Sequence, residues 1–286
     1  MKHGYPGVKP LVWALGIVML VATGGAGANQ AAFRERAASK LVTPASASAD
    51  VRAEILFGRQ VAARILSRYT PDNNAKLVRY VNLVGDGLAA FSSRPELHFH
   101  FAIIDTDDVN AYSAPGGYVF VTRGALKLMR DESELAGVLA HEIAHVTLKQ
   151  IVRELNIHGT TQSPEAGFAH FFGGAGDPAR IAFSQAVDKA MNILFREGLS
   201  KQDEFDADRV GTQLLAEAGY DPTALERYLA RVKQAKGEPT QIINHTHPPF
   251  DQRIAHLKQF IVQQGMAGVK HPRLAARFES YVNGKK

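Results

Sequence analysis

Apolar residues follow a helical period through two segments in the first third of the chain. In the first segment the apolar side ends at Tyr69, Asp50 can cap the helix, and Thr70-Pro71 stops it. In the second segment the apolar positions step by four and three, the period of a core-facing helix, at Leu77, Val81, Val84, Leu88 and Phe91. These patterns predict two helices that pack against a common core.

An alternation of period two follows and predicts a small sheet. Residues 97–104 alternate before turning apolar, which indicates a strand with His98 and His100 facing solvent, a pair of metal ligands being the alternative. Within residues 110–122, two short strands surround Pro115-Gly116-Gly117, a pattern typical of a hairpin. This hairpin is either a plain structural element or an edge that an extended peptide can pair with.

A long helix is predicted from the pattern that begins at Asp131. Asp131 can cap this helix, Glu134 can return a hydrogen bond to the backbone, and the helical pattern runs to about Leu155. Its small residues predict a slim helix that can lie deep in a core. They are Ala136, Gly137, Ala140 and Ala144.

A second long helix is predicted from Ser200 to Ala218, with Gly219 ending it and Asp221-Pro222 opening the next as cap and first residue. Between the two long helices, residues 159–178 are rich in glycine and phenylalanine. We interpret this segment as a flap over a cleft or as a disordered insert. Few strands among many helices predict a mainly helical α+β fold with a small β-sheet.

The helix that follows Asp131 carries His141-Glu142-Ile143-Ala144-His145. Histidines four apart lie about 40° apart around a helix axis, so both imidazoles can reach one metal ion. Zn²⁺ lowers the pKa of a bound water to about 7, and the carboxylate of Glu142 is placed to take its proton. The alternative is a buried helix with two satisfied histidines. Without a metal as partner, burying these polar groups costs several kcal/mol.

Catalytic zinc sites typically have three protein ligands, so a third ligand is needed. The best source is the start of the second long helix, where Glu204 and Asp208 are four apart and share a face. One of them can bind the metal while the other accepts the free ring N–H of a ligand histidine. The helix dipole alone also favours acids at a helix start, and it explains Asp203 and Asp206.

Composition limits the chemistry further. The chain has 286 residues, of which 45% are apolar, enough for one substantial globular unit. It has no cysteine, which excludes disulfides, thiolate zinc sites and a cysteine nucleophile, so any metal is held by histidine and carboxylate. The formal net charge of +5 falls to +3 without residues 1–28. That charge is too small and too scattered to indicate nucleic-acid binding, but it leaves peripheral attraction to an anionic membrane open.

The first 28 residues are typical of a secretory signal. Lys2 and Lys9 precede an apolar run of twelve residues, and Ala26 and Ala28 satisfy the small-x-small rule for cleavage. The run is shorter than the roughly 20 residues of a membrane span. We therefore expect a cleaved signal peptide at 1–28, with an uncleaved anchor as the alternative, and a periplasmic protein. A leader at 29–49, a catalytic domain at 50–270 and a C-terminal tail at 271–286 complete the predicted organisation.

Four segments, in the same order, resemble one known family. They are the hairpin Asn110-Ala111-Tyr112-Ser113-Ala114-Pro115-Gly116-Gly117-Tyr118, His141-Glu142-x-x-His145, Glu204-x-x-Ala207-Asp208 and Thr246-His247-Pro248-Pro249. With these segments, the chain resembles the HtpX-like and CAAX-prenyl-protease-like zinc metallopeptidases over roughly residues 50–262. Within them it is more similar to the soluble periplasmic branch related to the β-barrel assembly-enhancing protease. The resemblance implies a zincin-like fold whose small sheet borders the active-site cleft.

The resemblance also implies a metal centre. It assigns one zinc ion per chain to His141, His145 and Glu204, with Glu142 as general base and Asp208 behind His141. The spacing of Glu204 and Asp208 leaves open which of them binds the metal, and the resemblance implies that it is Glu204.

Further residues are implied around the centre. His247 and Arg253 are expected to reach the cleft, and His247 either donates to the oxyanion of the tetrahedral intermediate or occupies the open zinc position. Asn110, Ala111 and Tyr112 of the hairpin are the candidate substrate-binding residues.

These observations predict a zinc-dependent endopeptidase that degrades unfolded or misassembled cell-envelope proteins, with outer-membrane proteins among its candidate substrates. The alternative is a chaperone or outer-membrane assembly factor with a structural or self-inhibited zinc site. Closure of the fourth zinc position by His247 would favour that alternative. The sequence does not determine the oligomeric state.

Overall fold

The computed structural model describes residues 49–158, 178–235, 240–268 and 271–284. In these residues the predicted mainly helical α+β fold with a small sheet is confirmed. The helices are α1 Ala49–Arg68, α2 Ala75–Ala89, α3 Arg123–Leu128, α4 Glu132–Thr147, α5 Gln150–Glu154, α6 Pro178–Asn192, α7 Lys201–Glu217, α8 Ala224–Gln234, α9 Gln241–Thr246, α10 Phe250–Gln263 and α11 Ala275–Val282. The strands are β1 His100–Ile104, β2 Ala111–Ala114 and β3 Tyr118–Thr122.

The three strands form one sheet in the order β1-β3-β2. Strands β2 and β3 are antiparallel and form the predicted hairpin, while β1 runs parallel to β3. A 3-10 turn joins the hairpin strands, and Gly116 and Gly117 adopt φ values of 75° and 98° there. Glycine is favoured at such positions because it carries no Cβ. The first strand begins at His100 rather than at Leu97, and both His98 and His100 are exposed as predicted.

The outer edge of β1 is covered, whereas β2 forms the other edge of the sheet. The backbone N–H of Asp72 donates to the carbonyl of Ile103 at 2.8 Å, and the side-chain amide of Asn82 donates to the carbonyl of Phe101 at 2.9 Å. Covered backbone groups cannot recruit another strand. Within the described part of the chain, the sheet therefore has one edge without a pairing partner, at β2, whose four residues are buried.

The first two helices are present, with changed ends. Helix α1 begins at Ala49, so Asp50 lies in its first turn and does not cap it. Helix α2 ends at Ala89, which leaves Phe91 outside it and half-buried. A Cβ added at Gly85 would lie 2.5 Å from the ring of Phe101. Gly85 lowers the intrinsic stability of α2, but its missing side chain leaves room for Phe101 and so allows the helix to pack on the sheet.

The predicted cap of α4 is present, but the helix is shorter than predicted. The Asp131 side chain accepts a hydrogen bond from the backbone N–H of Glu134 at 2.9 Å, and the Glu134 carboxylate accepts one from Arg130 N–H at 2.9 Å. The expected extension to Leu155 is wrong. The helix ends at Thr147, and Lys149 adopts a left-handed conformation with φ 55° before α5 begins.

Helix α4 is buried along its length, and its small residues are the reason it fits, as predicted. A Cβ added at Gly137 would lie 3.0 Å from the backbone N of Leu225. On the opposing helix α7, a Cβ added at Gly211 would lie 2.9 Å from both the N and the Cα of His141. Gly137 therefore lets α4 approach α8, and Gly211 lets α7 approach α4 at the level of His141.

Helix α7 begins after Ser200, whose hydroxyl accepts from Asp203 N–H at 3.1 Å, and Gly219 follows its end with φ 85°. The predicted start of the next helix at Asp221-Pro222 is wrong, because α8 begins at Ala224. The Asp221 carboxylate instead folds the preceding turn by accepting from the N–H and hydroxyl of Thr223 at 3.0 and 2.7 Å.

The segment assigned to a C-terminal tail contains helix α11, which packs on the core. Phe278 is fully buried, and the Tyr281 ring stacks on Tyr80 with centroids 4.3 Å apart. Arg277 forms an ion pair with Glu132 in the first turn of α4. Residues up to about 284 therefore belong to the folded body.

Several predictions fall outside the described residues. The signal peptide at 1–28, nearly all of the leader at 29–49 and the glycine-rich segment up to residue 177 belong to this group. Among the residues that are described, no helix combines the length and the apolar character that a bilayer crossing requires.

Replacing Gly211 by alanine should push α4 and α7 apart, because the new Cβ meets the backbone of His141. We expect the free energy of unfolding to fall by about 1–3 kcal/mol, the usual effect of overpacking a tight contact. Urea denaturation monitored by circular dichroism measures this change.

Gly87→Ala is the matched control, since an added Cβ at Gly87 meets no atom within 4 Å and the position lies inside α2. Alanine there should raise the free energy of unfolding by up to about 1 kcal/mol. Equal effects of the two substitutions would contradict a tight contact at Gly211.

Candidate active site

The histidines of α4 and the first acid of α7 converge on one point. The Nε2 atoms of His141 and His145 are 3.0 Å apart, and oxygens of Glu204 lie 3.7 and 3.6 Å from them. All three side chains are buried. Within the described part of the chain, this is the group of three or more His, Asp or Glu residues whose ligand atoms lie close enough for one metal ion.

The spacing and chemistry of this group suit zinc. Tetrahedral zinc with bonds of about 2.0–2.1 Å separates its ligand atoms by roughly 3.3 Å, close to the three distances observed. Two imidazoles and a carboxylate are also a ligand set that zinc uses in catalytic sites. The two Nε2 atoms lie 3.0 Å apart, a spacing that a shared cation explains.

Asp208 lies behind His141, as the resemblance implies. Its carboxylate is 3.0 Å from His141 Nδ1, so it can accept the ring N–H and leave Nε2 free as a ligand atom. Arg253 of α10 donates two hydrogen bonds to the same carboxylate, at 2.9 and 2.6 Å. The ring of His141 is therefore oriented by a chain of two charged side chains.

His145 has an orienting partner that the sequence analysis missed. Its Nδ1 is hydrogen-bonded to the side-chain oxygen of Gln150, and the Gln150 amide donates to the backbone carbonyl of Asp203 at 2.8 Å. A residue five positions after His145 would point to another face of a continuous helix. The turn at Lys149 brings Gln150 back, and no glycine or proline marks that turn in the sequence.

His247 and Arg253 occupy different places, which corrects the expectation that both reach the cleft. His247 follows α9 and lines the cleft, with its Nδ1 2.6 Å from a Glu204 oxygen. The guanidinium of Arg253 is 2% exposed and lies against the ligand group, 3.4 Å from Glu204 and 3.3 Å from His141 Nε2. Its buried charge compensates two carboxylates, and it does not line the cleft.

Burial and neighbouring charges set the protonation of the group. Burial lowers the pKa of His141, and the charges of Arg253 and His145 lower it further against the opposing effect of Asp208. Burial alone would raise the pKa of the Glu204 carboxyl, but His247, Arg253 and His145 hold it well below its usual range. The pKa of Asp208 is likewise lowered against burial, by Arg253 and His141. A neutral imidazole and ionised carboxylates are the forms that bind metals.

Glu142 and the hairpin edge border an open cleft beside this group. Glu142 lines the cleft together with His145 and with Ala111 and Tyr112 of β2, as predicted. Ser113 of β2 also lines it and was missed.

Asn110 does not line the cleft, which corrects the third expected substrate contact. Its side chain is buried and accepts from Ala111 N–H at 3.0 Å, while its backbone pairs with Thr122. Asn110 therefore shapes the start of β2.

The register shows which backbone groups of β2 are available to a ligand. Thr122 N–H donates to Asn110 O at 3.1 Å, so these two residues form a hydrogen-bonded pair of the antiparallel ladder. Such pairs alternate along the strands. The carbonyl of Ala111 and both backbone groups of Ser113 therefore turn away from β3, towards the unpaired edge, while the N–H of Ala111 is taken by the Asn110 side chain.

The far side of the cleft is an apolar wall, which we define as Ile151, Ile193, Leu194 and Leu199. Ile193 and Leu194 begin a π-helical turn, Ile193–Glu197, that continues α6. Gly198 then adopts φ 73°, and a Cβ added there would lie 2.0 Å from the carbonyl oxygen of Thr246. The wall is thereby fixed against the backbone that leads into His247.

Comparison with known proteins agrees with this arrangement. The model of the family described as Peptidase family M48 matches residues 75–261. The beta-barrel assembly-enhancing protease of Yersinia pestis is 30% identical over 236 residues, which cover 74% of this chain and 45% of that protein. The chain thus spans less than half the length of that relative.

Two further relatives carry metallopeptidase names. The metalloprotease YcaL of Escherichia coli K12 is 26% identical over 209 residues, covering 73% of this chain and 76% of that protein. The mitochondrial metalloendopeptidase OMA1 of Schizosaccharomyces pombe is 27% identical over 218 residues, covering 69% of this chain and 56% of that protein.

Gln150→Ala should weaken zinc binding by about tenfold or more, because His145 loses the partner that fixes its ring. Competition with a chromophoric chelator measures the affinity. Gln202→Ala, an exposed change at the start of α7, is the matched control and should leave the affinity unchanged. Equal affinities of the two variants would show that Gln150 does not orient the site.

Proposed function

The chain belongs to peptidase family M48, and from that membership we propose that it is a zinc-dependent endopeptidase that degrades unfolded or misassembled proteins of the cell envelope. The observation that carries this proposal is the convergence of His141, His145 and Glu204 beside Glu142 and a free strand edge. A metallopeptidase domain needs these parts together: a metal centre, a base and a place for the peptide backbone.

His141, His145 and Glu204 would hold one zinc ion per chain. When bound, zinc supplies a Lewis acid that polarises the substrate carbonyl and lowers the pKa of a coordinated water. Asp208 and Gln150 hold the two histidine rings in the tautomer that presents Nε2.

Glu142 acts as the general base in this proposal. It lies between the two histidines in sequence, and its carboxylate lines the cleft and is not part of the converging group. It takes the proton of the attacking water and delivers it to the nitrogen of the leaving amine. A carboxylate that bound the metal itself would be less free to carry that proton.

His247 stabilises the tetrahedral intermediate. Its Nδ1 donates to Glu204 at 2.6 Å, which leaves the second ring nitrogen, when protonated, to donate to the developing oxyanion. His247 stands outside the converging group of three ligands, which supports this role over permanent occupation of the fourth position.

The edge of β2 binds the substrate backbone. The carbonyl of Ala111 and both backbone groups of Ser113 turn outward, so an extended segment can add to the sheet as a further strand beside Glu142. Folded proteins rarely expose an unpaired extended segment, whereas unfolded or misassembled proteins do. Backbone pairing of this kind favours such proteins with little dependence on their sequence.

We also propose a location and a substrate class. The signal-like residues 1–28 favour export to the periplasm, and a net charge of +3 without them is compatible with peripheral membrane association. One relative is named for β-barrel assembly, which supports outer-membrane proteins as candidate substrates.

A second candidate function is a chaperone or assembly factor with a self-inhibited zinc site, in which His247 would leave its 2.6 Å contact with Glu204 and occupy the fourth zinc position. Such a protein would bind unfolded chains at the β2 edge without cutting them.

Casein incubated with the purified chain distinguishes the two functions. We expect degradation to small peptides, complete loss of it after chelation, and recovery when zinc is added back, measured by gel electrophoresis. Binding of casein without any cleavage at saturating zinc would support the chaperone and contradict the peptidase.

Glu142→Gln should keep zinc and the fold but lower kcat by at least about a hundredfold, since a general base is lost beside an intact Lewis acid. Zinc content, circular dichroism and hydrolysis of a quenched fluorescent peptide measure these properties. Glu279→Gln, on the exposed face of α11, is the matched control and should retain full activity. Unchanged hydrolysis by Glu142→Gln would remove Glu142 from the mechanism.

A further inference from the structure

The lining of the cleft is divided into an ionisable part and an apolar part. The ionisable residues stand together around the metal group and are Glu142, His145, Glu204 and His247. Away from them, the described lining consists of the β2 edge, the apolar wall, Gly198 and Thr246, and it contains no lysine or arginine. A substrate side chain that contacts this wall meets apolar side chains.

Leu194 and Leu199 of the wall pack against a core cluster and are only partly covered by the part of the chain that the structure describes. Ile151 and Ile193 are buried and form its base, whereas Leu194 and Leu199 are half-buried and face the cleft. Apolar surface at the mouth of a cleft is stabilised when a ligand covers it. The two leucines are therefore the parts of the wall that a substrate can contact.

The wall is also held in a fixed position. Phe195 in the same π-helical turn packs against Tyr112 of β2 with ring centroids 4.4 Å apart, and against Tyr69 at 5.9 Å. On the other side, Gly198 contacts the backbone of Thr246 so closely that no side chain fits between them. The distance between the wall and the strand edge is thus set by packing before any substrate binds.

We infer that Leu194 and Leu199 form a specificity subsite that selects a large apolar residue next to the scissile bond. This inference rests on the proposed peptidase function, and it adds a substrate class: extended segments that contain residues such as leucine, isoleucine, methionine or phenylalanine. Native proteins bury such residues. The strand edge and the wall together therefore select segments that become accessible only when a protein is unfolded.

Charged side chains are excluded for the same physical reason. An acidic or basic side chain placed against the wall loses water and finds no partner there. Pockets of this kind discriminate between side chains by factors of roughly ten to two hundred. We expect about a tenfold or greater preference for leucine over alanine, and a larger one over aspartate.

The test uses peptides of glycine and serine that carry a single variable residue, so that cleavage beside that residue reports the subsite. The zinc-loaded chain should give the highest kcat/KM with leucine or phenylalanine at the variable position, and the lowest with aspartate or lysine. Mass spectrometry of the products identifies which side of the bond the residue occupies. An active wild-type chain that cleaves the leucine and aspartate peptides equally would overturn the inference while leaving the peptidase function intact.

Variants in the wall make the test residue-specific. Leu199→Lys and Leu194→Lys should each lower the ratio of kcat/KM for the leucine peptide to that for the aspartate peptide by about tenfold or more, because the new ammonium group favours an acidic partner. Leu83→Lys on α2, where the leucine is 61% exposed, is the matched control and should keep the wild-type ratio. Thermal unfolding monitors the fold of each variant. Wild-type ratios in both folded wall variants would overturn the assignment.

A binding measurement separates this inference from the proposed function. In zinc-loaded Glu142→Gln, fluorescence anisotropy should show the labelled leucine peptide binding about tenfold more tightly than the aspartate peptide. Equal affinities would overturn the subsite whether or not the wild-type chain cleaves peptides. A clear preference in binding, together with an inactive wild-type chain, would support the subsite and contradict the peptidase.

Discussion

The close contact between α4 and α7 is the constraint on which the candidate active site depends. Gly211 places the backbone of α7 against His141, and the small residues of α4 allow this helix to be enclosed on several sides. With the two helices at this distance, Glu204 and Asp208 reach opposite nitrogens of His141. If a methyl group held the two helices further apart, the ligand atoms on α4 would lie further from those on α7.

The contact buries charge, and the surrounding elements compensate for it. Glu142, Glu204 and Asp208 bring three carboxyl groups into the interior, and Arg253 supplies one buried positive charge that contacts two of them. Buried charges are tolerated when they are paired and hydrogen-bonded. A divalent cation would balance the negative charge that the single guanidinium leaves uncompensated. The electrostatics and the ligand spacing therefore favour the same occupant, a metal ion.

The sequence predicted the features that local signals encode. The hairpin follows from alternation around Pro115-Gly116-Gly117, and the convergence of His141, His145 and Glu204 follows from two four-residue spacings and the family resemblance. The fold class and the family are confirmed. The roles of the individual side chains remain proposals.

The errors have two physical causes: a local backbone conformation that no residue type marks, and contacts between residues distant in sequence. The end of α4 depends on a lysine held in a left-handed conformation, for which residues 147–150 carry no glycine or proline signal. Arg253 was expected in the cleft because periodicity cannot show that a charged residue is enclosed by two acids. The last helix was taken for a tail because its short apolar pattern becomes meaningful only through its contacts with Tyr80 and Glu132.

The covered edge of β1 has a consequence for self-association. Since β2 is the unpaired edge of the described sheet, a second copy that paired with this sheet would lie where we propose that substrate binds. Such a copy would act as a competitor, so crowded solutions of the protein should inhibit themselves.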